Sequence, residues 1–405
     1  MNVLFLTLIS FKSLQERNIY TDLLREFVKN GHSIFAVSPV EMRYREKTHL
    51  IEEEHAKILR LRIGNTQKTN IVEKGISTVL IEPIFKSAIA RYFPDVKFDL
   101  ILYSTPPITL VSPIKFVKKR DKALTYLMLK DIFPQNAVDM GMLSKTGING
   151  LIYKHFRRKE QELYAVSDYI GCMSPANVDY VIKHNPDVAP EKVKVCPNSV
   201  EVFDNNIDSN EKRIIREKYG IPLNKIVFVY GGNLGKPQNV PFIIDCLEKS
   251  SSIEKAFFLI VGDGTEYGLL EKYAHNCNHN NFKLLQRLHK EDYDALVSAC
   301  DVGLVFLDHR FTIPNFPSRL LSYMQAKLPV LAATDSNTDV GKIIVEGRFG
   351  WWCESNNSTV FMQMVKEITL CDCSEMKDNA YQYLIHHYSA KNAYSIIISE
   401  KRLHR

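Results

Sequence analysis

A chain of 405 residues, 45% hydrophobic and 24% charged, has the make-up of a folded globular protein and is too long for one ordinary core, so two domains of roughly 200 residues are expected. The formal net charge of +6 is too small at this length to call for nucleic acid, and none is expected as a partner. The composition excludes a disordered or low-complexity chain, and no apolar run approaches the roughly 20 residues that span a bilayer.

The opening run Val3-Leu4-Phe5-Leu6-Thr7-Leu8 has no basic segment before it and is followed by Lys12, Gln15, Glu16 and Arg17 rather than a small-residue cleavage site. It reads as a buried strand and not as a secretion signal. Further strands are predicted at 33–37, 57–63, 99–105, 124–129, 169–173 and 193–196. Between the first two, Ile19, Leu23, Phe27 and Val28 recur at helical spacing and Gly31 supplies the stop. The polar stretch 204–216 reads as a linker and the first helix of a new domain. A second series of strands follows at 226–230, 257–261, 282–285, 302–307 and 330–333, and a last helix at 389–401 carries Ala393, Ile396, Ile397 and Ile398. Apolar runs alternating with amphipathic helices give parallel sheets with crossover helices, here two in tandem. Ligands of such sheets bind beyond the carboxyl ends of the strands.

The eight cysteines are scattered and lack a CxxC pair, which suits reduced structural thiols in a cytoplasmic protein. Cys371 and Cys373 have no second ligand pair, so no metal is expected. Positive charge gathers in the first half, at Lys115, Lys118, Lys119, Arg120 and Lys122 and again at Lys154, Arg157, Arg158 and Lys159 beside Leu151, Ile152, Tyr153 and Phe156. Each cluster alone reads as a solvated helix face; together they suit peripheral contact with an anionic membrane or a lipid diphosphate.

No glycine follows the first strand, so the dinucleotide fingerprint is missing where it would count. Gly231-Gly232-Asn233-Leu234-Gly235-Lys236-Pro237 resembles a P-loop but is one residue short between its glycines, with Pro237 where a hydroxyl should meet magnesium. What remains is a glycine-rich turn leaving a strand, which either receives an anion on its amides or needs glycine for its conformation alone. Farther on, Asn315-Phe316-Pro317-Ser318-Arg319 opens a helix, with Ser318 at the N-cap. A cation such as Arg319 opposes the helix dipole there, and either an arriving phosphate resolves the conflict or the side chain bends away into solvent.

Together these segments resemble glycosyltransferase family 4, in the WbuB-like branch of bacterial surface-polysaccharide sugar transferases. The resemblance runs through Phe98-Asp99-Leu100-Ile101, Ser104-Thr105-Pro106-Pro107, Lys130-Asp131-Ile132-Phe133-Pro134, Cys196-Pro197-Asn198-Ser199-Val200, Gly232-Asn233-Leu234-Gly235, Val261-Gly262-Asp263-Gly264 and Pro317-Ser318-Arg319. It implies an α/β protein of the GT-B fold, with two facing Rossmann-like doubly wound domains and a cleft between them. Residues 1–200 would bind the acceptor, with helix 389–405 packing back on them, and residues 201–388 would bind a nucleotide-sugar donor. The implied reaction is metal- and cofactor-independent transfer of a hexose, with retention, from a UDP-sugar to a lipid-linked saccharide or glycan in capsule or O-antigen synthesis at the inner face of the cell membrane.

Under that resemblance Arg319 and Lys236 receive the charge of the leaving diphosphate, with the amides of Gly232, Asn233 and Ser318 as donors, while Asn315, Phe316 and Pro317 flank the sugar. Asp131 orients or deprotonates the acceptor hydroxyl; its structural alternative is a helix cap or an ion pair with Lys130. Two departures stand out. An Arg and a Lys usual in the glycine-rich turn are replaced by Asn233 and Gln238, and a usual pair of glutamates falls at Pro314 and Ser322. A non-catalytic GT-B partner subunit is therefore an alternative, as is a nucleotide-sugar epimerase or hydrolase.

Overall fold

The computed structural model describes residues 1–66, 69–277 and 280–403. They divide into two units, Met1–Glu201 with Ala390–Arg405, and Val202–Ser389. The first unit runs β1 (Asn2–Leu6), α1 (Ile19–Lys29), β2 (Ser33–Glu41), β3 (His49–Glu53), β4 (Ala56–Ile63), α2 (Ile71–Tyr92), β5 (Leu100–Ser104), α3 (Val111–Asp121), β6 (Leu124–Leu129), α4 (Gln135–Asp139), α5 (Gly147–Val166), β7 (Tyr169–Cys172), α6 (Pro175–His184) and β8 (Val193–Val195). The sheet order is β3-β4-β2-β1-β5-β6-β7-β8, parallel except where β3 meets β4.

From β4 onward each crossover moves the same way along the sheet, so right-handed connections place α2, α3, α5 and α6 on one face. The step from β1 to β2 goes the other way and puts α1 on the opposite face. Asn18 caps α1 through a reciprocal capping box with Thr21, and Gly31 ends it at φ 77°. The last helix, α15 (Ala390–Leu403), lies against α1, where Phe27 and Tyr394 meet edge to face at 4.9 Å and Ala393 and Ile397 are buried.

The second unit runs α7 (Ser209–Lys218), β9 (Ile226–Asn233), α8 (Val240–Lys249), β10 (Ala256–Asp263), α9 (Tyr267–Asn276), β11 (Phe282–Gln286), α10 (Lys290–Ser298), β12 (Val302–Phe306), α11 (Arg319–Gln325), β13 (Val330–Thr334), α12 (Val340–Glu346), β14 (Gly350–Glu354), α13 (Ser358–Ile368) and α14 (Ser374–His387). Its strands, ordered β11-β10-β9-β12-β13-β14, are all parallel. The buried cluster around Phe228, Tyr230, Phe258, Leu304 and Phe306 packs this sheet against its helices.

Two strands escape the sequence reading: β3, an antiparallel edge, and β14, the opposite edge of the other sheet. A third difference matters more. The glycines at 231 and 232 are still strand, because Gly231, Gly232 and Asn233 pair with Val261, Gly262 and Asp263 of β10. A side chain at Gly262 would stand 2.0 Å from the Gly232 carbonyl, so only glycine lets the two strands run on together.

Candidate functional site

In the second unit the strand order reverses between β9 and β12, since β9 leads outward to β10 while the chain returns to lay β12 on the other side. A crevice at such a reversal is where open α/β sheets hold ligands. The carboxyl end of β9 carries Gly231, Gly232 and Asn233, and the segment after β12 leads to Arg319 at the start of α11. The Asp308 amide donates to the Pro237 carbonyl at 2.9 Å and ties the two loops together.

Gly232 has φ 131°, a left-handed conformation that glycine adopts without strain. A side chain added there would lie 3.3 Å from Arg319 Nη2, so the guanidinium sits directly under the strand end. Its Cζ lies 4.1 Å from the centre of the Tyr230 ring. Tyr323, one helical turn after Arg319, donates its hydroxyl to Leu304 O at 3.0 Å and accepts the Gly231 amide at 3.2 Å. These contacts fix α11 against both β9 and β12. Arg319 is partly exposed along its length, yet its Nη1 is closed off from water and has no hydrogen-bond partner. Leaving a buried N–H of a permanently charged group unmet costs about 1–3 kcal/mol, which an arriving oxyanion would recover.

The remaining residues expected at this site are distributed unevenly. Asn233 is exposed and its Nδ2 donates to Gln238 Oε1 at 3.0 Å, which also accepts the Gly235 amide at 3.1 Å. Buried Gln238 therefore braces the turn. Lys236 begins the following 3₁₀ turn, Lys236–Gln238, and is exposed. Asn315 offers its carbonyl to the Thr338 hydroxyl at 2.5 Å, and Phe316 turns into the core, 9% exposed, with its ring 5.8 Å from that of Tyr388. Pro317 accepts the Leu320 amide at 3.2 Å. Ser318 precedes α11 but does not cap it: at φ −64° and ψ −16° it is already helical, its side chain bonds no backbone amide, and α11 has seven residues. The tension at Arg319 is met by Tyr230 rather than by solvent.

Asp131 belongs to the first unit, just past β6. Asn136 Nδ2 donates to both of its carboxylate oxygens, at 2.8 and 2.7 Å. The Thr105 hydroxyl accepts the Lys130 and Asp131 amides at 2.9 and 3.3 Å, fastening this loop to the end of β5. Burial raises the Asp131 pKa from 3.8 to about 6, against the lowering effect of hydrogen bonds including that of Asn136. Burial likewise lowers the Lys130 pKa to about 8. The two side chains form no ion pair, so the structural alternative for Asp131 is a bond to Asn136 instead.

Residues 211–383 match the family model described as Glycosyl transferases group 1. The matched stretch falls within the second unit. The chain is 25% identical over 330 residues to the Pseudomonas aeruginosa protein named Probable glycosyltransferase WbjE, across 80% of this chain and 79% of that one. Among solved structures it is similar to HepE of Anabaena in complex with UDP, with a TM-score of 0.67 at 15% identity over 99% of both chains. It is also similar to WaaG, a glycosyltransferase involved in lipopolysaccharide biosynthesis, with a TM-score of 0.63 at 14% identity over 98% of this chain and 99% of that one. The fold is GT-B, built from two parallel-sheet Rossmann-like units.

The tyrosines around Arg319 were not singled out by the sequence reading. Tyr323 could have been, because a residue four positions after Arg319 shares its helix face. Tyr293 gives no such signal: it comes from α10, and the absence of a side chain at Gly231 makes room for it, since one there would meet its hydroxyl at 1.9 Å.

Proposed function

We propose that this chain transfers a hexose from a UDP-sugar to a lipid-linked saccharide or glycan acceptor in capsule or O-antigen synthesis, with retention and without a metal, as a family 4 enzyme of the WbuB-like branch. The observation that carries the reading is the unpartnered Nη1 of Arg319 beneath the Gly232 strand end. In the reaction the acceptor oxygen bonds to the anomeric carbon as the bond from that carbon to the diphosphate oxygen breaks. Negative charge grows on the diphosphate, and Arg319, Lys236 and the amides of Gly232, Asn233 and Ser318 stabilise it more in the transition state than before. Asn315, Phe316 and Pro317 flank the sugar, and Asp131 takes the acceptor proton, for which a carboxylate titrating at about 6 is suited.

The UDP complex of HepE and the lipopolysaccharide role of WaaG support the donor and pathway class by analogy. Acting at the inner face of the cell membrane suits the basic residues of α3 and α5 together with exposed Ile148, Leu151 and Ile152. No helix among the described residues is long and apolar enough to cross a membrane. The deciding experiment incubates the purified chain with a panel of UDP-sugars and lipid-diphosphate acceptors and follows the product by mass spectrometry. A sugar-extended lipid supports the reading. Binding of UDP without turnover of any donor replaces it with the non-catalytic partner subunit that Pro314 and Ser322 suggest.

A further inference from the structure

Of the three tyrosines around Arg319, two have committed their hydroxyl protons. Tyr230 donates to the Asn233 carbonyl at 2.6 Å and Tyr323 to that of Leu304 at 3.0 Å. The Tyr293 hydroxyl is closed off from water and makes no hydrogen bond; its neighbour, the Tyr323 hydroxyl, lies outside bonding geometry. A buried O–H left unmet is a cost to the free chain that a bound acceptor recovers. From β11 to β12 and from β12 to β13 the chain advances the same way along the sheet, so right-handed crossovers put α10 and α11 on one face, where they pack together. Tyr293 stands in the first turn of α10 and Arg319 opens α11, so both lie at the carboxyl edge of the sheet. A side chain begun at Gly231 would meet the Tyr293 oxygen at 1.9 Å, and one begun at Gly232 would stand 3.3 Å from Arg319 Nη2. Two donors without acceptors, Tyr293 Oη and Arg319 Nη1, therefore adjoin successive residues of one strand end.

Resting on the donor reading of Arg319 given above, we propose that Tyr293 is a second ligand of the leaving diphosphate, its hydroxyl donating to a phosphate oxygen while Arg319 meets the same group with charge. A phenol O–H bonded to an oxyanion is charge-assisted and roughly twice as strong as its bond to a neutral group such as a ribose hydroxyl. The turn after β9 supplies little positive charge for that anion. Asn233 and Gln238 bond each other at 3.0 Å, and the one cation between residues 231 and 239 is Lys236. Donors on the α10 and α11 side complete the cradle. Tyr293 and Arg319 are both partly exposed, which leaves a ligand a way in.

Tyr293→Phe removes the hydroxyl alone and is compared with the parent, as the full chain, in thermal denaturation without ligand and in calorimetric titration with UDP and with uridine. The melting temperature should stay unchanged or rise, because the hydroxyl bonds nothing in the free chain. UDP affinity should fall by roughly tenfold or more, the loss typical of one charge-assisted bond. Uridine, which carries no phosphate, should bind both proteins alike or neither. Equal UDP affinity in parent and Tyr293→Phe overturns the assignment, and so does an equal loss for uridine, which would put the hydroxyl on the nucleoside instead. Arg319→Ala separates this from the wider reading. If it weakens UDP and Tyr293→Phe does not, the donor site stands without Tyr293; if neither variant weakens UDP, or the parent does not bind it, both fall.

Discussion

Arg319 is held by an aromatic face and an adjacent glycine rather than by a carboxylate, so its charge stays available while its position is fixed. Replacing it with alanine should remove about 2–4 kcal/mol of transition-state stabilisation, read as a fall in kcat/KM on the best UDP-sugar. Unchanged turnover would take it out of the site. Asp131 makes a prediction of different form. Its folded pKa of about 6 lies above its ordinary 3.8, so burial of the charged form weakens the fold increasingly as pH rises through 6, and the penalty vanishes below 3.8. Asp131→Asn should therefore match the parent near pH 4 in urea denaturation and exceed it by about 1–2 kcal/mol at pH 8, because Asn136 Oδ1, now buried and unpartnered, can turn to accept the new amide. The same variant should lose activity, and the parent's rate should rise with pH through about 6, which a pH–rate profile would show. The residues first proposed for the site were named from their types and their places after strand ends. Their partners, Tyr230, Tyr293 and Asn136, were not, since each arrives by packing and carries no motif.

At the scale of elements, β9 shows how a glycine run can be misread. Gly231-Gly232 carries the composition of a turn, yet the chain stays extended through Asn233 because Gly262 opposite also lacks a side chain. The turn proper begins at Leu234 and is held by Gln238, where the family resemblance leads one to look for a cation. Gly231→Ala would thrust a methyl group into the Tyr293 hydroxyl, at a cost of about 1–3 kcal/mol in thermal denaturation and a weaker affinity for UDP. The missed strands share a cause. Both β3 and β14 are five-residue sheet edges, where pairing with one neighbour rather than a buried apolar run defines the strand.

At the scale of the molecule, the alternation of apolar runs and amphipathic helices was enough to predict two parallel sheets, because strands buried on both faces must be apolar throughout and crossover helices must be amphipathic. Order within each sheet is another matter. That β9 lies between β10 and β12, and β1 between β2 and β5, is settled by which crossovers turn back, and no local pattern records it. The reversal beside β9 brings Gly232 within reach of a residue 87 positions later in the chain, Arg319. The same-direction crossovers of the first unit bring Lys86 to the Phe116 ring that Arg120 also faces. The sequence by itself thus determined the class of the fold and the kinds of side chain available for phosphate chemistry, through periodicity and residue type. Which of those side chains meet, and which are left without a partner, was decided only by tertiary packing, since proximity between distant segments depends on sheet order and on where glycine leaves room.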